Sequence, residues 1–183
     1  MMPLLMMLLP KNIKPPLSEQ TMSAILDLQL ASDSADIPKQ EDIQKWLDSV
    51  LSYQQLSEKE VTVRIVDDAE IQQLNLQYRG KDKTTNVLSF PFEMPEFALP
   101  AGAHIDESMS DFLGDIVICA PVVKQESIQQ NKRLSHHWAH ILIHGTLHLI
   151  GYDHIEEQEA EEMEGIEIVI LQKLAIDDPY LNH

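Results

Sequence analysis

Three histidines, His144, His148 and His154, fall at positions 0, 4 and 10 of the segment HGTLHLIGYDH, with Gly151 at position 7. Residues four apart on a helix share a face, with Cβ atoms roughly 5–6 Å apart, so His144 and His148 can grip one metal ion. Gly151 can take the left-handed conformation that ends a helix, and that turn brings His154 back as a third ligand. Three histidines leave one tetrahedral position for water, the arrangement of a catalytic rather than a structural zinc site. One zinc ion per chain is therefore the expectation.

The spacing follows the extended zinc-protease pattern H-E-x-x-H-x-x-G-x-x-H, but Gly145 stands where such enzymes carry the glutamate that serves as general base. Glycine abstracts no proton. In mid-helix it also costs roughly 0.5–1 kcal/mol relative to alanine, so a neighbouring strand or a substrate phosphate must need the space. Peptide hydrolysis by the usual zinc route is disfavoured. Toward the amino end the histidine ladder continues with His140 and His136. Each four-residue step advances the helix by about 40°, which keeps His140 near the ligand face as an outer-shell or substrate contact. His136 and His137 are expected at solvated surface.

A second cluster lies in Tyr78–Phe92, YRGKDKTTNVLSFPF, where Arg79, Lys81 and Lys83 fall within five residues of an otherwise acidic chain. Gly80 and the run Thr84-Thr85-Asn86 suit a loop whose backbone N–H groups hold an anion. Without other context these are solvated basic residues. Beside a metal helix that lacks a protein base, a cation that binds phosphate supplies much of what is missing. Arginine fits because its planar fork donates bidentately. Arg79 is thus the candidate catalytic residue, with Lys81 and Lys83 as candidate substrate contacts. Asp115, in Leu-Gly-Asp-Ile, is either an outer-shell or substrate group or a structural hydrogen-bonder at a strand start.

These residues need a scaffold, and the pattern of apolar positions supplies one. Ala24–Leu30 alternates as a strand, and Lys39–Tyr53 carries Ile43, Trp46, Leu47, Val50 and Leu51 at helical spacing. Val61–Val66 is a β-branched strand, followed by a helix capped by Asp67 or Asp68 and running to about Tyr78. Val87–Phe90 is a short strand stopped by Pro91, residues 93–112 form a loop, and Leu113–Ala120 is an apolar strand. Helices then run from Pro121 to about Lys132, from a Ser135 cap to Gly151, and from Glu156 to Leu174 with Met163, Ile166, Ile170 and Leu174 facing the core. The expected fold is α+β, a small mixed β-sheet with helices packed on it.

At 183 residues the chain makes one domain, 22–178, with a tail at 179–183. The opening MMPLLMMLL is far too short to span a bilayer and lacks the basic flank and small-residue cleavage site of an export signal. Four prolines between Pro3 and Pro16 break any helix there, so residues 1–21 read as an extension outside the fold, and Met22 is a second candidate start. No membrane association is expected. The lone Cys119 excludes an internal disulfide, reads as a small buried hydrophobe and suits a reducing, cytoplasmic setting.

A net charge of −17 opposes nucleic-acid binding at face value. Its distribution weakens the objection: residues 155–183 hold nine acidic side chains against one lysine, whereas six of the thirteen basic residues lie between 79 and 133. A basic patch beside the metal helix is compatible with an acidic remainder.

The combination of YRGKDKTTNVLSFPFE, LGDIVIC and HGTLHLIGYDH resembles the YbeY family of bacterial rRNA maturation factors over roughly residues 23–176. The resemblance implies a metal-dependent, single-strand-specific endoribonuclease with a fold like the zinc-protease catalytic domain. It makes His144, His148 and His154 the zinc ligands and Arg79 the functional arginine. It further implies action on the 3′ end of small-subunit ribosomal RNA and in ribosome quality control, with single-stranded RNA and the small ribosomal subunit as partners. The amino-terminal extension is the one departure. Two rivals remain: a zinc hydrolase acting on peptides or amides, and a non-enzymatic ribosome-assembly module with a structural zinc.

Overall fold

The computed structural model describes residues 23–56, 58–93, 111–154 and 156–181. The expectations for residues 1–21 and for most of the 93–112 loop lie outside the described residues. In chain order the elements are β1 (Ile25–Leu30), α1 (Gln40–Tyr53), β2 (Glu60–Val66), α2 (Asp68–Arg79), β3 (Val87–Pro91), β4 (Phe112–Cys119), α3 (Ala120–Gln129), α4 (Leu134–Leu149) and α5 (Glu157–Lys173). The strands form one sheet in the order β1-β2-β4-β3. β1, β2 and β4 run parallel, and β3 pairs antiparallel with β4, from Val87 opposite Ile118 to Pro91 opposite Gly114. The fold is α+β with a small mixed sheet, as the periodicity implies.

Strand alternation divides the sheet into two faces. Val61, Val63 and Ile65 of β2 and Ile116 and Ile118 of β4 point to one side, where they join Leu47, Val50 and Leu51 of α1, Leu142, Ile143 and Leu147 of α4, and Met163 and Ile170 of α5. The other side holds a smaller cluster of Val66, Ile71, Leu88, Val117 and Cys119 beneath α2. Cys119 is fully buried there, and burial pushes its thiol up to about 12, which makes it inert at neutral pH. All five apolar positions read from the α1 pattern are buried.

α4 is the central element, packed by α1, α3, α5, β3 and β4. A helix apolar on nearly every side belongs inside a core. Between His136 and Leu149 the residues that are not buried are His136, His140, His144 and His148. The helix thus exposes one narrow histidine stripe and nothing else over that span. Beside that stripe, about 100° round from His144, lie β3 and β4: a Cβ at Gly145 would meet Ile116 Cγ2 at 3.1 Å, Ser89 Oγ at 3.2 Å and Val87 Cγ2 at 3.3 Å. Ser89 Oγ also donates to the Gly145 carbonyl at 2.9 Å. The missing side chain at 145 is therefore the space a neighbouring strand occupies.

Four local features differ from the sequence reading. Arg79 is the last residue of α2 and not part of a loop; Gly80, at φ 67, caps the helix behind it. α3 ends at Gln129, three residues early, because Asn131 turns left-handed at φ 52 and Lys132 N–H closes back onto Ser127. α4 begins at Leu134 under Arg133, whose carbonyl receives the N–H groups of His136 and His137. His137 is not at the surface. One residue past His136 the helix has turned by about 100°, so His137 points inward and meets Glu126 of α3 at 2.8 Å. Among the described residues, no helix is long and apolar enough to cross a membrane.

Candidate metal centre

His144 and His148 sit one turn apart on the exposed stripe of α4, and their Nε2 atoms approach to 3.1 Å. Two nitrogens on a tetrahedral zinc at 2.0–2.1 Å stand about 3.3 Å apart, so the pair is spaced for one ion. α4 ends in a tight turn in which Gly151, at φ 102, donates to the His148 carbonyl at 3.1 Å and Tyr152 N–H to the Leu147 carbonyl at 3.1 Å. The left-handed residue sends the chain back across the helix end. His154 then stacks on His144, with ring centroids 5.5 Å apart and planes 25° from parallel. One ligand atom from each of the three histidines lies within 4.8 Å of the others, and among the described residues no further His, Cys, Asp or Glu joins the group.

The Nδ1 atoms of His144 and His148 are committed elsewhere. His148 Nδ1 donates to the Tyr152 carbonyl at 2.9 Å, and Tyr152 is itself tied to Gln54 at the end of α1 through its hydroxyl. His144 Nδ1 meets Glu167 Oε1 of α5 at 2.7 Å. With both Nδ1 atoms acting as donors, the lone pairs left over are on the two facing Nε2 atoms. Burial, reinforced by the neighbouring His144 and His154, lowers the pKa of His148 and favours its neutral, metal-binding form. The donor set fits a zinc ion, and an open fourth position is what distinguishes a catalytic from a structural site.

Glu167 is completely buried. Its Oε2 receives His140 Nε2 at 2.9 Å and the hydroxyl of Tyr180. Burial alone would raise its carboxyl, but the hydrogen bonds from His140 and His144 outweigh it and hold the pKa down to about 2. Burial and the adjacent carboxylate push Tyr180 the other way, above the ordinary phenol. His140 thus touches the centre through Glu167. The sequence reading singles out neither Glu167 nor Tyr180, the latter falling in the tail. A signal for Glu167 was present: it shares the apolar stripe of Met163, Ile166 and Ile170, where a charge without a partner would be costly.

Arg79, Lys81 and Lys83 are exposed, and their charged groups make no ion pair or hydrogen bond among the described residues. The backbone beneath them is fixed. Asn75, buried in α2, donates to the Lys83 carbonyl at 2.7 Å; Lys81 N–H returns to the Asn75 carbonyl at 3.2 Å, and Gln72 holds Asp82 at 2.8 Å. Farther along, Asn86 donates to Glu126, the residue that pairs with His137 of α4. No hydrogen bond joins Arg79 to the three histidines. Asp115 is on the opposite face of the sheet from them, in an open cavity of about 450 Å³ with Thr62, Arg64, Tyr78 and Phe90.

Residues 28–175 match the family Endoribonuclease YbeY. A curated relative, Endoribonuclease YbeY of Alteromonas mediterranea, is 52% identical over 164 residues, which cover 87% of this chain and 98% of the relative. The solution structure of TM1509 from Thermotoga maritima is similar at 23% identity over 81% of this chain and 92% of that one, with a TM-score of 0.48. A histidine pair one helical turn apart, a third histidine returned by a glycine turn and an α+β frame define a class of proteins with a three-histidine candidate metal centre. The chain belongs to the Endoribonuclease YbeY family.

Proposed function

We propose that the chain is a zinc-dependent, single-strand-specific endoribonuclease that acts in the cytoplasm on the 3′ end of small-subunit ribosomal RNA and in ribosome quality control. Family membership supports the reaction class. The observation that carries the metal reading is the facing of His144 and His148 through Nε2 at 3.1 Å, with His154 closing the group. Bound zinc supplies a Lewis acid for a phosphoryl oxygen or lowers the pKa of water to about 7.

The protein's own residues do the rest. His144, His148 and His154 hold the ion on the half-exposed stripe of α4, where an extended strand has access. Arg79 binds the scissile or an adjacent phosphate with its planar fork and stabilises charge that develops there. Lys81 and Lys83, on the braced turn that follows Arg79, add attraction for the RNA backbone. Gly145 offers no carboxylate base and its site is filled by side chains of β3 and β4, which disfavours the peptidase reading. The lack of a fourth acidic donor among the described residues disfavours a purely structural zinc.

The test is incubation of zinc-loaded protein with labelled single-stranded and duplex RNA of one sequence, alongside Arg79→Ala. Chelator-sensitive internal cleavage of the single strand alone is expected. Intact single-stranded RNA with full zinc loading would overturn the reading.

A further inference from the structure

A fully buried carboxylate on an apolar helix stripe needs a reason. Taking an ionised carboxyl out of water costs several kcal/mol unless close partners offset it, and Met163, Ile166 and Ile170 around Glu167 offer none. Its partners come from elsewhere: His144 on Oε1, and His140 with Tyr180 on Oε2. Three donors converge on a group that only accepts. A simple tie between α4 and α5 would need one such bond. Here the two oxygens are divided, one reserved for a metal-facing histidine and the other held from the far side.

We propose that Glu167 is the positioning residue of the metal centre, fixing His144 with its proton on Nδ1 and its Nε2 toward the ion, while His140 and Tyr180 fix Glu167. The assignment rests on the three-histidine metal reading and extends it to residues outside the ligand set. It gives His140 a role, because its Nε2–H braces the carboxylate one turn before the ligand it serves. It also draws the segment after α5 into the site, because Tyr180 lies seven residues beyond Lys173 and still reaches the carboxylate. Outer groups of this kind set ring orientation and ligand basicity, and their loss weakens metal binding by roughly 10–100-fold.

Replacement by an amide separates this role from plain packing. Glu167→Gln keeps the shape but exchanges one acceptor oxygen for an NH₂ donor, so three donors can no longer all be satisfied without a change of tautomer. Zinc affinity would be measured by chelator competition, the geometry by the cobalt(II) absorption spectrum, and the fold by melting of metal-free protein. Glu167→Gln should bind zinc about 10–100-fold more weakly with an altered cobalt spectrum. Tyr180→Phe, which removes one brace at a partly exposed position, should shift affinity the same way by a smaller factor. Wild-type affinity and spectrum in Glu167→Gln would overturn the proposal, even if melting fell, since that is the signature of packing alone. Should Glu167→Gln not fold, unchanged affinity in Tyr180→Phe would overturn it. A wild-type chain that binds neither zinc nor cobalt would instead sink the metal reading itself.

Discussion

The histidine stripe of α4 and the basic turn after α2 are built in opposite ways. At the stripe, side chains are fixed as well as backbone: His144 is held by Glu167, His148 by the Tyr152 carbonyl, His140 by Glu167. After α2 Asn75 holds the backbone and Gln72 holds the Asp82 side chain, while the cations of Arg79, Lys81 and Lys83 extend into solvent. The difference matches two kinds of recognition. A metal ion demands ligands within tenths of an ångström of their final places. A flexible polyanion is met by charges that can move to it, and their ordering is deferred until the substrate arrives. Asn86, bonded to Glu126, which pairs with His137, ties the end of the basic segment to the first turns of α4, so the two regions share a frame.

The comparison predicts that variants at the stripe lose metal and variants at the turn do not. His148→Ala has the largest expected effect. It removes one of three ligands, so its affinity loss should exceed the roughly 10–100-fold of an outer-group change, and RNA cleavage should vanish with the zinc. Elemental analysis that still finds one zinc per chain would remove the site. Arg79→Ala should keep full zinc and an unchanged melting temperature yet lose about 10²–10³ in single-turnover cleavage. Arg79→Lys should recover only part, since an ammonium keeps the charge but not the fork. Wild-type rates in Arg79→Ala would leave the metal without an identified partner.

How far the sequence could carry this division follows from the range of each signal. Period-2 and period-3.6 patterns act over a few residues, and they located the strands and helices among the described residues to within a few positions. The candidate ligand triad is equally local: His144, His148, Gly151 and His154 sit within eleven residues. What escaped the reading pairs residues far apart in the chain. His137 is buried because Glu126 on another helix receives it, and Glu167 meets His144 across 23 positions. Asn75, on sequence an ordinary helix position, braces the turn that follows Arg79 through one bond eight residues on. Such partners depend on how helices dock, which no periodicity encodes. Gly145 is intermediate: its oddity was legible, while the choice between a strand and a substrate phosphate was made only in three dimensions.

That strand makes the third prediction. Gly145→Glu would restore the protease-like motif, but its Cβ would begin 3.1–3.3 Å from Ile116, Ser89 and Val87. Overpacking of a filled core typically costs about 1–3 kcal/mol, so denaturant melts should shift downward. No zinc-dependent cleavage of unfolded protein substrates should appear. Gain of such proteolysis would show that only the missing base separates this stripe from a peptidase.

The smallest effect is expected at Lys81 and Lys83, and it sharpens the claim that the turn acts through charge. Neither ammonium has a partner among the described residues, so Lys81→Ala and Lys83→Ala should leave stability and zinc content unchanged. Their proposed contribution is to RNA binding, where each cation that neutralises a phosphate releases a counterion. For single strands that makes the slope of log K against log salt steeper by about 0.7 per contact. The double variant should therefore bind single-stranded RNA several-fold more weakly at low salt and show a slope shallower by about 1.4, with little change in the rate of the bound complex. Arg79→Ala should differ in kind, lowering the rate more than the affinity. A salt slope identical to wild type in the lysine double variant would mean that the turn carries its arginine alone and that the RNA follows another path across the protein.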